Sequence, residues 1–169
     1  MYRTAALKAL REKLSAMNIS AIIIPTNDPH FGEYTQDHYK VREWLSGFNG
    51  SAGTLVVTLA EAALWTDSRY FVQAAAQLQG SGIKLMRMKM EGTPTIAQWI
   101  LSQYPQGDVV AIDKSLFSYS EYESLCKELS PCKVVLIDDI FDDFKILDGQ
   151  QRQLVKDLVH SLATTKKEV

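Results

Sequence analysis

The chain has 169 residues, of which 46% are hydrophobic, and this length and composition suit one compact α/β domain. A domain of this size buries roughly 70% of the surface that its extended chain would expose, and a second full domain is not expected. Its 18 basic and 20 acidic residues are interspersed and leave a net charge of −2, which excludes the basic stripe that nucleic acid binding requires.

Apolar residues recur at three- and four-residue intervals near the start of the chain and predict an amphipathic helix over residues 2–17. The charges between them interrupt the apolar core that a secretory signal needs, and no stretch approaches the roughly 20 apolar residues of a membrane span. We therefore expect a cytoplasmic protein that does not contact membranes. The next run, residues 21–24, is apolar and stopped by Pro25, which predicts a strand buried on both faces.

The middle of the chain combines a glycine-rich turn with a hairpin. A short helix is predicted over residues 39–45, before the turn at 47–53, which contains three glycines. Two strands, 54–59 and 62–66, are separated by only two residues, which predicts a tight hairpin connection.

A helix should follow, with Asp67 or Ser68 as its N-cap, and continue to about Leu78, where Gly80 and Gly82 end it. Strands and helices then alternate, and the predicted ranges are strand 83–90, helix 95–103, strand 109–112, helix 120–129 and strand 133–137. This alternation around a hairpin predicts a three-layer α/β domain, with a mixed sheet covered by helices on both faces. We assign residues 1–148 to this domain.

Residues 149–169 form a separate tail. An apolar stripe at helical spacing runs from Leu154 to Leu162 and ends in a polar stretch. The tail could pack on the domain or begin a linker to further domains.

The densest polar cluster, residues 27–38, comes just after the first strand, where loops of open α/β sheets often hold binding sites. A metal site there would use His30, Glu33 and His38, but these lack the spacing that puts two imidazoles on one helical face. The alternative, which we favour, is a loop whose turns are formed and capped by residues 27–28.

The glycine-rich turn raises two further possibilities. Its glycines, Gly47, Gly50 and Gly53, match neither the dinucleotide fingerprint nor a Walker motif, so we expect them to shape the loop and not to bind a nucleotide. Ser51 lies in a sequence that resembles a nucleophile elbow, but that elbow needs a strand before the serine, and here a strand follows.

Cys126 and Cys132 are six positions apart, a spacing that fits neither a zinc site nor a redox Cys-x-x-Cys. We expect two buried, reduced thiols, in keeping with a cytoplasmic protein. Neither has a histidine nearby in the sequence, so nucleophilic catalysis by a cysteine is not expected.

Arg69 stands in the first turn of a predicted helix, where a cation opposes the helix dipole by a few tenths to about 1 kcal/mol. Arg69 should therefore have an anionic partner. Its planar fork could pair with a nearby carboxylate such as Asp67, or it could face a substrate carboxylate or carbonyl across an interface.

Two segments, residues 44–54 and 64–74, closely resemble aminopeptidase P, the Xaa-Pro aminopeptidases of the creatinase/prolidase family. The upstream motif at 28–30, the pair at 33–34 and Arg42 are also similar to that family. The resemblance covers residues 1–148. It implies a creatinase-type amino-terminal domain, with a helix-covered mixed sheet like that of ribonuclease-H-like folds.

The resemblance also implies a function. In this family a separate pita-bread catalytic domain holds two divalent metals, usually manganese, and a metal-activated water hydrolyses the bond before proline. None of those ligand motifs occurs in this chain. The amino-terminal domain is expected to border the active-site cleft, to restrict it to peptides with a free amino end and to contribute to a homodimer. Arg69, His30 and Tyr70 are its implied substrate-binding residues.

The chain departs from the family at its carboxyl end. Longer members continue through a proline-containing linker, whereas residues 149–169 contain no proline. The leading interpretation is a non-catalytic domain whose partner is the catalytic domain of the same polypeptide. The alternative is a free-standing binding or oligomerisation module without peptidase activity.

Overall fold

Helices and strands alternate along the chain as the sequence predicts. The computed structural model describes residues 2–25, 41–50, 52–114 and 116–137. The elements are α1 (Tyr2–Ala16), β1 (Ala21–Ile24), α2 (Val41–Ser46), β2 (Thr54–Thr58), β3 (Ala62–Thr66), a 3₁₀ turn (Ser68–Tyr70), α3 (Phe71–Gln77), β4 (Lys84–Arg87), α4 (Ile96–Gln103), β5 (Val109–Asp113), α5 (Tyr119–Glu128) and β6 (Lys133–Ile137).

The six strands form one mixed sheet in the order β4-β3-β2-β1-β5-β6. Strand β2 is antiparallel to both of its neighbours, β1 and β3, and the other neighbouring pairs are parallel. The carboxyl ends of β1, β3, β4, β5 and β6 therefore lie at one edge of the sheet. Strand β2 begins at that same edge.

Helices cover both faces of the sheet, which confirms the predicted three-layer class. On one face, α1 contributes Leu10 and Leu14, and α3 contributes Ala74, to a core that includes Ile22 of β1. On the other face, helix α4 packs with a second core, which contains Ile100 and Ile23 and extends to α5. Strand β1 is buried along its whole length because its side chains alternate between the two cores.

The predicted hairpin is confirmed. The Thr58 backbone N–H donates to the carbonyl oxygen of Glu61 at 2.8 Å, and the Thr58 hydroxyl accepts from the Glu61 N–H at 2.9 Å. Because Thr58 closes the turn in this way, β2 ends there and Leu59, which was predicted to continue the strand, is 41% exposed.

Two further predicted ranges were wrong in detail. The helix after β3 is not continuous, because it begins as a 3₁₀ turn and Tyr70, at φ −118° and ψ 6°, separates that turn from α3. The strand predicted to reach Met90 stops at Arg87, because Lys89 adopts a positive φ of 66° and the Met90 N–H closes a turn onto the Arg87 carbonyl at 3.2 Å.

Several predictions fall on residues outside the described ranges. These are the polar cluster at 27–38, Ser51, the helical tail at 149–169 and the domain boundary at residue 148. Within the described ranges, none of the helices combines the length and the apolar character that crossing a bilayer requires.

Candidate functional site

The carboxyl edge of the sheet brings together two segments that the sequence singled out. Residues 67–70 follow β3 at this edge, and the glycine loop, residues 47–53, leads into β2 beside them. The Thr66 hydroxyl, at the end of β3, donates to the carbonyl oxygen of Ala52 at 2.7 Å and so joins this strand end to the glycine loop. Loops at this edge of an open α/β sheet are where such folds bind their ligands.

Arg69 and Asp67 form a two-point ion pair at this edge. Arg69 donates from Nε to Asp67 Oδ1 at 2.9 Å and from Nη2 to Asp67 Oδ2 at 2.8 Å. Asp67 also accepts the Arg69 backbone N–H at 3.0 Å, and so caps the 3₁₀ turn that presents the arginine. The carboxylate partner predicted for Arg69 is therefore present, and it explains how a cation is tolerated at the start of a helical segment.

The ion pair is open to solvent. The Arg69 side chain is 67% exposed, and that of Asp67 is 36% exposed. The hydrogen bond from Arg69 lowers the pKa of Asp67, assisted by the more distant charge of Lys89, and the same bond to Asp67 raises the pKa of Arg69. Because Asp67 uses only part of the guanidinium fork, other N–H groups of Arg69 remain available to a second acceptor.

The Tyr70 ring packs against the Arg69 guanidinium. The Arg69 guanidinium carbon lies 5.1 Å from the centre of the Tyr70 ring, in a cation-π arrangement. Tyr70 is half-buried and packs against the core, where its ring meets the buried Phe48 ring edge-on at a centroid distance of 6.0 Å. The structure thus brings Arg69 and Tyr70 together, whereas the third predicted residue, His30, lies outside the described residues.

The glycine loop is held by a buried cation that the sequence analysis did not identify as structural. Arg42 is only 3% exposed, and its guanidinium donates to the Gly53 carbonyl at 3.1 Å and to the Gly50 carbonyl. Its guanidinium carbon also lies 4.9 Å from the centre of the Phe48 ring. No local sequence signal marks the burial of Arg42, because a charged residue in a short helix normally faces solvent.

The glycines are required by close approach, which supports the loop-shaping interpretation. A Cβ atom at Gly50 would lie 2.3 Å from Cζ of Phe48, and one at Gly53 would lie 2.8 Å from Nη1 of Arg42. Carbonyl groups of the loop face a cation of this chain, whereas a phosphate site needs N–H groups that converge on the ligand.

An open groove of about 540 Å³ lies at the same edge, on the face covered by α4 and α5. Its walls include Pro25, Gly53, Phe117 and Glu128, but none of the described residues that line it belongs to the 67–70 segment. This groove and the exposed arginine are therefore two neighbouring features, which share only the glycine loop.

Other candidate groups do not converge on this edge. Cys132 is buried as predicted, but Cys126 is only partly buried, so the prediction of two buried thiols was wrong for Cys126. Cys126 lies on α5, where its hydrogen bond raises the pKa of the Tyr122 hydroxyl. Across the described ranges, no group of three or more His, Cys, Asp or Glu side chains could hold a metal ion.

The sequence and the fold both match known proteins. A family model of the creatinase/prolidase N-terminal domain matches residues 7–145. This chain belongs to that family. It corresponds to the N-terminal domain of Xaa-Pro aminopeptidase-like proteins, and the mixed sheet with helices on both faces is the fold expected of it.

The similar sequences are longer proteins. The chain is 44% identical to Xaa-Pro aminopeptidase 2 of Rattus norvegicus over 126 residues, which cover 75% of this chain and 18% of the rat protein. It is 36% identical to Xaa-Pro aminopeptidase ApepP of Drosophila melanogaster over 177 residues, which cover 97% of this chain and 29% of the fly protein. The chain therefore spans less than a third of either relative.

Solved structures also share the fold, and two of them show its similarity to this chain. The X-prolyl aminopeptidase of Caenorhabditis elegans, a cytosolic enzyme with a di-nuclear active site, superimposes with a TM-score of 0.73 at 32% identity, covering 86% of this chain and 25% of that protein. The N-terminal domain of a putative metallopeptidase from Corynebacterium diphtheriae superimposes with a TM-score of 0.62 at 23% identity, covering 82% of this chain and 98% of that one.

Proposed function

We propose that this chain is the accessory domain of a cytoplasmic Xaa-Pro aminopeptidase, in which it borders the active-site cleft and admits peptides with a free amino end. The observation that carries the proposal is the exposed Arg69 fork, held by Asp67 and Tyr70 at the carboxyl edge of the sheet. Similarity to Xaa-Pro aminopeptidases over most of the chain supplies the substrate class, peptides with proline at the second position.

Arg69 is the proposed substrate contact, with Tyr70 beneath it and His30 as a further contact. A guanidinium that already holds one carboxylate keeps N–H donors for a peptide carbonyl or carboxylate, and its planar fork gives that contact a defined direction. The Asp67 carboxylate fixes the fork before the peptide arrives, which reduces the side-chain entropy lost on binding.

Catalysis belongs to another domain in this proposal. The described residues offer no grouping suited to a metal ion, and the Caenorhabditis elegans relative has a di-nuclear active site. We propose that two divalent metals, manganese by resemblance, are held by the catalytic domain of the same polypeptide. The amino-terminal domain would contribute to a homodimer.

The coding sequence downstream of Val169 provides the first test. A catalytic domain in the same reading frame is the expected result. A stop codon at that point would contradict the proposal and favour the free-standing binding or oligomerisation module, particularly if the purified chain sedimented as a dimer.

The kinetic test replaces Arg69 in the full-length protein. Arg69→Ala should lower kcat/KM for Xaa-Pro peptides. The decrease should correspond to a loss of roughly 1.5 to 3 kcal/mol in transition-state stabilisation, the scale of a hydrogen bond to a charged group. Lys84→Ala is the matched control, because Lys84 is an exposed cation paired with Glu61 at 2.9 Å near the opposite edge of the sheet. Equal kcat/KM values for the wild type and Arg69→Ala would remove Arg69 from the site.

A further inference from the structure

Arg42 and Arg69 are connected by a continuous stack of side chains. The Arg42 guanidinium lies over the Phe48 ring, the Phe48 ring meets the Tyr70 ring edge-on, and the Tyr70 ring carries the Arg69 guanidinium. The stack begins at a side chain that is 3% exposed and ends at one that is 67% exposed. A displacement of Arg42 can therefore be transmitted to Arg69 through the contacts of the Phe48 and Tyr70 rings.

The buried end of the stack is held by two hydrogen bonds to the loop backbone. Burying a guanidinium is costly unless its N–H groups are paired, and Arg42 donates to the carbonyls of Gly50 and Gly53. The Phe48 ring is fully buried, and Gly50 and Gly53 leave no room for a Cβ atom beside it. The Phe48 ring is thus fixed between the loop backbone and the Arg42 guanidinium.

The outer part of the loop is tied to the helix that follows Arg69. The Asn49 side-chain oxygen accepts from Gln73 at 2.6 Å and from Gln77 at 2.8 Å, both on α3. The Asn49 backbone N–H donates to the Gln77 side chain at 3.1 Å. The glycine loop is therefore connected to the segment that presents Arg69 by these hydrogen bonds as well as by the ring contacts.

We propose that Arg42 is a positioning residue, which sets the direction of the Arg69 fork through Phe48 and Tyr70. This inference rests on the proposed function, because it takes Arg69 as the peptide contact. The Arg42 guanidinium itself is buried against the loop carbonyls, so it would act through Arg69 and not by touching the peptide. A charge alone is not sufficient for this role, since the Gly53 and Gly50 carbonyls are bound by the separate Nη1 and Nη2 atoms of one planar fork. A single ammonium nitrogen does not reproduce that spacing.

The test is a double-mutant cycle in the full-length protein, with hydrolysis of a Xaa-Pro peptide as the readout. Arg42→Lys should lower kcat/KM roughly tenfold, mainly through a higher KM, because a misdirected fork weakens peptide binding. In an Arg69→Ala background the same change should alter kcat/KM less than about twofold, because the residue through which it acts is gone.

Two further variants keep the test decisive. Arg11→Lys is the matched control, since Arg11 is a partly buried arginine that also donates to a backbone carbonyl, that of Thr58 at 2.9 Å, near the opposite edge of the sheet. It should leave kcat/KM unchanged. Should Arg42→Lys fail to fold, Phe48→Leu interrupts the stack without removing a buried charge. Phe48→Leu should likewise lower kcat/KM in the wild type and change it little in the Arg69→Ala background.

The possible outcomes separate the two proposals. The positioning role would be overturned if Arg42→Lys lowered kcat/KM by the same factor in the wild type and in the Arg69→Ala background. It would also be overturned if Arg69→Ala lowered kcat/KM and Arg42→Lys did not. If Arg69→Ala itself has no effect, the proposed peptide contact fails, and the positioning role fails with it.

Discussion

At the scale of single residues, Asp67 determines how Arg69 is presented. Its carboxylate accepts two hydrogen bonds from the guanidinium and one from the Arg69 backbone, so charge pairing and turn capping depend on the same group. Both side chains lie in solvent, and the pair therefore contributes little to overall stability. We assign it a role in orientation.

The pKa of Asp67 provides a direct check on this pair. Because the hydrogen bond from Arg69 lowers that pKa, the stabilisation from the pair is present at neutral pH and disappears as the pH falls through the lowered value. In Arg69→Ala, the Asp67 pKa should rise towards the ordinary aspartate value. Carboxyl ¹³C NMR titration measures both values, and the same midpoint in the two proteins would show that the ion pair does not form in solution.

Gly50 should not tolerate a side chain. In Gly50→Ala, the new Cβ would lie 2.3 Å from Cζ of the buried Phe48, so the substitution should cost about 1–3 kcal/mol in the free energy of unfolding. Gly80→Asn is the control, because Gly80 has a positive φ of 76° with no atom within 4 Å of its Cβ position, and asparagine tolerates that conformation. Urea denaturation compares the two, and equal stability of Gly50→Ala and the wild type would contradict the packing described here.

At the scale of elements, the sequence predicted each helix and strand of the described ranges, because local chemistry marks most boundaries. Gly80 and Gly82 adopt positive φ after α3, and Pro25 follows the last residue of β1. The end of β4 was missed because it depends on Lys89, a residue whose positive φ has no local signature. The 3₁₀ start of the helix after β3 was also missed, since Asp67 serves as a cap in either geometry.

The capping box of α4 supplies a test at this scale. The Thr95 hydroxyl accepts the Gln98 backbone N–H at 3.1 Å, and the Gln98 side chain accepts the Thr95 N–H at 3.0 Å. Thr95→Ala should therefore lower the free energy of unfolding by about 1 kcal/mol. Thr93→Ala, two residues earlier and outside the helix, should change it by less than about 0.5 kcal/mol in the same thermal or urea measurement. Equal effects of the two substitutions would argue against the cap.

At the scale of the whole molecule, a central sheet separates two cores, and each core should be needed for stability. Leu10 on α1 and Ile100 on α4 are fully buried on opposite faces. Leu10→Ala and Ile100→Ala should each lower the free energy of unfolding by about 2–5 kcal/mol, whereas Leu136→Ala, at a side chain that is 49% exposed, should have a much smaller effect. A small decrease in the free energy of unfolding for Leu10→Ala or Ile100→Ala would mean that the helix on that face is not packed as described.

The candidate site was only partly predictable, because its parts are distant in the sequence. The pairing of Arg69 with Asp67 could be anticipated, since the two residues are neighbours along the chain. The burial of Arg42 could not, because a charged residue in a short helix normally faces solvent. Its contacts with the loop carbonyls, and the contact between Phe48 and Tyr70, depend on how β2 and β3 place their connecting segments at one edge.

We propose that this domain presents Arg69 to a peptide whose hydrolysis is carried out by another domain. The most direct measurement is hydrolysis of a Xaa-Pro peptide by the purified 169-residue chain in the presence of manganese, together with the metal content of the protein. We predict no cleavage and no stoichiometric metal. Retention of manganese and unaided cleavage of the peptide by this chain would contradict the account.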